Sequence, residues 1–89
     1  MHEASLMRGL MRRIDEVALA EGAARVTGIS VWLGALSHMS EDHFAEHFAQ
    51  ASAGTVAEGA ALSVTLSDDE GDPRAGDILL ESVEIETGP

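Results

Sequence analysis

Val26-Thr27-Gly28-Ile29-Ser30-Val31-Trp32-Leu33-Gly34-Ala35-Leu36 is the stretch on which the architecture turns. It is rich in β-branched residues, and Ile29, Val31 and Leu33 alternate with Ser30, Trp32 and Gly34, the period of a strand with one face buried. Such a strand needs helices or a second sheet over its apolar face. The flanking sequence supplies helices.

Upstream, from Glu3 to about Gly22, Met7, Leu10, Ile14, Val17 and Ala18 recur at helical steps, while Arg8, Arg12, Arg13, Asp15, Glu16 and Glu21 fill the other positions. Gly22 is a natural stop, since glycine accepts the left-handed conformation that ends helices. Downstream, Ser37 or Ser40 can cap a second helix, with Glu41 and Asp42 at the positive end of its dipole and Phe44, Phe48 and Ala51 on one edge. Gly54 ends it.

Leu62, Val64 and Leu66 alternate with Ser63, Thr65 and Ser67 as a second strand. The run Asp68-Asp69-Glu70-Gly71-Asp72-Pro73-Arg74-Ala75-Gly76 has turn chemistry and reads as an exposed connection. Asp77 to Glu86 forms a third strand whose apolar residues Ile78, Leu79, Leu80, Val83 and Ile85 break strict alternation. Either this strand is buried on both faces near Leu79 or it carries a bulge. The expectation is an α+β fold, order α-β-α-β-β, with two helices on one face of a three-stranded mixed sheet and residues 1–89 as one domain. The second helix is long enough to cross between parallel strands one and two, and strand three is expected to pair antiparallel with strand two through the acidic run.

The 89 residues contain no cysteine, which excludes disulfides, thiolate zinc sites, iron–sulfur ligation and cysteine nucleophiles. Any metal must be held by nitrogen and oxygen. The formal net charge of −11 disfavours nucleic acid and anionic membrane as partners, because both are bound by neutralising negative charge. No apolar run approaches the roughly 20 residues of a membrane span, and the start lacks the pattern of a signal peptide. A cytoplasmic protein is expected. No phosphate loop, nucleophile elbow or acid/base dyad is visible, so no catalytic residue is assigned.

The chemistry is concentrated in Met1-His2-Glu3. A histidine beside a free α-amino group offers an ion the terminal amine, its own deprotonated backbone nitrogen and its Nδ1, closing a five- and a six-membered chelate ring. Glu3 can add a fourth donor. Planar nitrogen-rich donation of this kind suits Ni(II) or Cu(II) over zinc. On spacing alone, the ordinary reading of a histidine at position two is an exposed terminal residue without a metal duty. His43, Glu46 and His47 spell H-x-x-E-H, a zinc-protease pattern; in so small a chain the better reading is a surface pair one turn apart that binds metal weakly or titrates near neutral pH. The acidic residues of 68–77 lack the spacing of a calcium loop and read as a solvated turn.

Several segments stand together in order: Met1-His2-Glu3-Ala4-Ser5-Leu6-Met7, Arg25-Val26-Thr27, Gly34-Ala35-Leu36-Ser37, Gly54-Thr55-Val56-Ala57-Glu58-Gly59-Ala60-Ala61-Leu62 and Leu79-Leu80-Glu81-Ser82-Val83-Glu84-Ile85. They resemble the hydrogenase nickel-incorporation family HypA. The resemblance implies Ni(II) as cargo, held by Met1, His2 and Glu3 and delivered to hydrogenase or, in some bacteria, urease. It implies a hydrogenase maturation GTPase or a nickel-enzyme precursor as partner.

Two departures matter. HypA proteins carry a zinc ribbon with two Cys-x-x-Cys pairs between strands two and three, and here the acidic turn at 68–76 stands in that place, read as a hairpin connection. Where family members often carry an acidic residue near the nickel, this chain has Ser40, with His38 as a candidate substitute nitrogen ligand or an ordinary loop histidine. A nickel metallochaperone-like protein and a metal-independent interaction module, a shortened paralogue, are the two functions these features allow.

Overall fold

The computed structural model describes residues 2–88, with side chains over 4–88. Its elements are α1 (His2–Ala20), β1 (Arg25–Leu33), α2 (Glu41–Ser52), β2 (Ala61–Leu66) and β3 (Ile78–Glu86). They form the expected α-β-α-β-β fold around a three-stranded mixed sheet. None of the described helices is long and apolar enough to cross a membrane.

The stripe of α1 is the one its spacing dictates. Met7, Leu10, Ile14 and Ala18 are buried, and Val17 is half-buried beside them. Gly22 takes φ 65°, and Ala23 N–H donates to the Ala18 carbonyl at 2.9 Å, which closes the helix through a left-handed residue. From α2, Phe44 and Phe48 enter the same core, their rings 6.1 Å apart. Ile29, Val31 and Leu33 of β1 meet them from below.

The strand order is β2-β1-β3. β1 and β2 run parallel from Gly28↔Ala61 to Leu33↔Leu66, joined by the α2 crossover. β3 does not pair with β2, which corrects the hairpin expected from their adjacency; it lies antiparallel to β1, from Arg25↔Glu86 to Leu33↔Ile78. The physical reason lies in composition. β1 is the most apolar strand and is buried along most of its length, whereas β2 exposes Ala61, Ser63, Thr65 and Leu66. A β2–β3 hairpin would leave the backbone of β1 unpaired along one edge, and residues 67–77 form a connection longer than the tight turns that enforce hairpins.

The irregular apolar pattern of the last strand is a bulge. Ser30 pairs with Ser82 and Val31 with Leu80, so Glu81 is the extra residue, and a second register shift falls at Thr27 on β1. Glu81 inverts the parity of β3. Ile78 and Leu80 before it and Val83 and Ile85 after it all face the core, while Leu79 pairs beside Trp32 without joining the core.

The acidic connection is tied down beside Gly34. Ala75 is buried, its carbonyl accepts from Leu36 N–H at 2.7 Å, and Gly34 N–H donates to the Asp77 carbonyl at 2.9 Å. Gly34 is a glycine because of this contact: a Cβ there would collide with the Ala75 carbonyl and stand 2.8 Å from the Arg74 carbonyl oxygen. Gly34→Ala is therefore expected to cost about 1–3 kcal/mol, the range for overpacking. Gly9→Ala, at a helical position where a Cβ meets nothing within 4 Å, should instead add up to about 1 kcal/mol of helix propensity. Urea denaturation of the two variants reads both signs.

Candidate metal centre

The start of α1 and the loop that carries His38 lie at one end of the domain. α1 begins at His2, so the His2 amide lies in the first turn, where backbone N–H groups have no intrahelical acceptor. Met1, and the side chains of His2 and Glu3, lie outside the described residues. Two residues further on, Ala4 lines an open groove between the helices with Met7, Met11, His47 and Ala51.

On the other side of α1, Ser5 and Leu6 stand beside Ile78 and Leu80 at the start of β3. Ile78 in turn pairs with Leu33. The beginning of α1 and the end of β1 thus share one end of the molecule, the end from which the 34–40 loop leaves toward α2.

His38 sits in that loop, exposed, with φ 60°. A non-glycine residue in the left-handed region costs on the order of 1 kcal/mol, and here it turns the chain between buried Ser37 and buried Met39. Among the described residues no group of three or more histidines and carboxylates is placed to hold a metal ion, so His38 is not joined to a described cluster. Ser40, and not Ser37, is the helix cap: its φ and ψ are extended and its Oγ accepts from His43 N–H at 3.1 Å. Ser37 is buried instead.

On α2, His43 and His47 are half-buried and their Nε2 atoms are 2.9 Å apart, one ring donating to the other, with ring centroids 4.6 Å apart. Glu46 points away from the core and is exposed. The sequence gives the one-turn spacing of these histidines but not their contact, which depends on the rotamers chosen beside Phe44 and Phe48.

The acidic connection behaves as a turn. Asp69 Oδ1 accepts from Gly71 N–H at 2.9 Å, and Asp72 Oδ1 accepts from Arg74 N–H at 2.7 Å while lying 3.6 Å from the Arg74 side chain. These side chains mimic backbone turn hydrogen bonds. Arg74 also lies over Trp32, 5.5 Å from the ring centroid, on the sheet face opposite the helices. Nothing in the local pattern at either position announces that contact, because Trp32 and Arg74 are far apart in sequence and meet only in the assembled sheet.

Residues 1–72 match the family model described as hydrogenase/urease nickel incorporation, metallochaperone, hypA. The chain is 36% identical over 64 residues to hydrogenase maturation factor HypA 1 of Bradyrhizobium diazoefficiens, covering 72% of this chain and 57% of that protein. It is 42% identical over 64 residues to hydrogenase maturation factor HypA of Roseiflexus sp., covering 72% and 52% respectively. The chain thus spans about half the length of the curated relatives it matches. The solution structure of the Ni metallochaperone HypA from Helicobacter pylori superposes with a TM-score of 0.77 at 18% identity, covering 99% of this chain and 100% of that one. At that identity the likeness speaks to the fold.

Proposed function

This chain belongs to the HypA family of hydrogenase/urease nickel-incorporation metallochaperones, and from that premise we propose that it holds Ni(II) at Met1, His2 and Glu3 and passes it on during maturation of a nickel enzyme such as NiFe hydrogenase. The observation that carries the reading is that the family match begins at residue 1 and takes in Met1-His2-Glu3. The chemistry agrees with it. An amine, a deprotonated amide and an imidazole in sequence make a planar set suited to Ni(II), and the start of α1 leaves the His2 amide without an intrahelical acceptor.

In this reading His38 is a further nitrogen donor, from the loop at the same end of the domain. The chain acts as a single cytoplasmic domain that carries its ion without transforming it. A short acidic connection at 68–76 takes the place of a zinc ribbon, and the receiver is a hydrogenase maturation GTPase or the nickel-enzyme precursor. The competing role, a metal-independent interaction module, is favoured by Ser40, whose hydroxyl is engaged in capping α2.

Absorption spectroscopy separates the two. With its native terminus, the protein titrated with Ni(II) is expected to develop the weak yellow band of a planar complex. A few residues added before Met1 should abolish that band, because the α-amine leaves the chelate. Failure of the band to form with the native terminus would favour the interaction module.

A further inference from the structure

We propose that His43 and His47 form a second metal site, a two-imidazole clip across one turn of α2 that takes Ni(II) or Cu(II). The site goes beyond the amino-terminal reading and does not depend on it.

The argument is geometric. Two donors with metal–nitrogen bonds of about 2.05 Å are about 2.9 Å apart when they occupy neighbouring corners of a square or octahedron, and about 3.3 Å apart at a tetrahedral angle. The Nε2 atoms of His43 and His47 are 2.9 Å apart. That separation, held by a hydrogen bond in the free protein, is close enough to the spacing of neighbouring corners for both imidazoles to reach one ion, and imidazole suits Ni(II) and Cu(II).

The backbone that carries the pair is fixed. Each histidine is followed by a buried phenylalanine, Phe44 and Phe48, so the helix cannot rotate without dismantling the core. Residues four apart on a helix share a face, and the two rings already touch. Little side-chain freedom is left to lose when an ion arrives.

In the free protein one Nε2–H donates to the other Nε2. Binding requires the donor ring to move that proton to its Nδ1 through water and both rings to tilt so that their Nε2 lone pairs converge on the ion, and neither ring changes charge. The formal charge of −11 favours approach of a cation.

The test uses the 89-residue chain carrying His2→Ala, which lacks the imidazole of the terminal chelate, titrated calorimetrically with Ni(II). One equivalent is expected to remain. Adding His43→Ala and His47→Ala to that chain should remove it, and each single substitution should weaken it by about tenfold or more. At ten times the dissociation constant, Ni(II) should raise the melting temperature of the His2→Ala chain by roughly 6–11 °C and leave the triple variant unmoved.

Circular dichroism of the variants confirms that α2 persists. In the unsubstituted protein, nuclear magnetic resonance should show Ni(II) broadening the His43 and His47 ring signals, a readout that needs no mutation. Uptake that survives loss of both histidines, no saturable uptake by the His2→Ala chain, or unbroadened rings would each overturn the site.

Discussion

Replacing His2 with alanine is expected to erase the tightest step of Ni(II) binding. The substitution takes away the imidazole and the six-membered chelate ring, leaving only the five-membered ring between the amine and a backbone nitrogen that must still be deprotonated. Loss of a group that merely orients a metal ligand costs about 10–100-fold in affinity. Loss of a ligand with its ring should exceed about 100-fold, or roughly 2.7 kcal/mol.

The start of α1 at His2 sharpens the expectation. The positive end of a helix dipole opposes a bare cation, so a site there depends on anionic donors, the deprotonated amide and the Glu3 carboxylate, to offset that field. Without the imidazole to anchor the ion, the amide has no reason to give up its proton. Calorimetry of the tag-free protein beside its His2→Ala variant reads the difference. The variant should retain only the weaker step assigned to His43 and His47, and equal tight binding by both proteins would end the amino-terminal assignment.

Phe44→Ala is expected to bring the fold close to its limit. The ring is fully buried, stacks on Phe48 and sits among Ile14, Val31 and Leu33, where neighbours from three elements meet. Truncation removes its transfer energy and leaves a cavity, together about 3–5 kcal/mol. A domain of this size holds on the order of 5–10 kcal/mol in all. The melting temperature should fall by roughly 12–40 °C, as thermal denaturation followed by circular dichroism will show. A loss below about 1 kcal/mol would mean that the two helices do not share the core described here.

Much of this fold is written in local pattern. The spacing of Met7, Leu10, Ile14 and Ala18 and the alternation of Ile29, Val31 and Leu33 each identify an element and its buried face, because periodicity and burial are the same fact seen twice. Ser40 and Gly22 mark helix ends through chemistry confined to one turn. The pairing of β3 was not legible, since it depends on which strand most needs a second neighbour, a property of the assembled sheet. Even so, the break in alternation at Leu79-Leu80-Glu81 was a true sign of the bulge that the β1 register demands.

The candidate site divides in the same way. His2 and Glu3 stand out through family resemblance and through the chelating logic of an amino terminus. The 2.9 Å contact between His43 and His47 could be suspected from their spacing but not measured from it. Leu66 shows the converse. It fits the alternation of its strand, yet it lies at the end of an edge strand beyond the reach of the helices and is 55% exposed.

The central position of β1 also governs how the molecule comes into being. Its antiparallel neighbour is translated only after α2 and β2, and Arg25 must wait for Glu86 before that flank closes. Contacts so distant along the chain slow folding. During synthesis the nascent polypeptide therefore presents a sticky, half-zipped β1 until β3 emerges, and truncation before Ile78 should yield aggregates in place of a smaller folded protein.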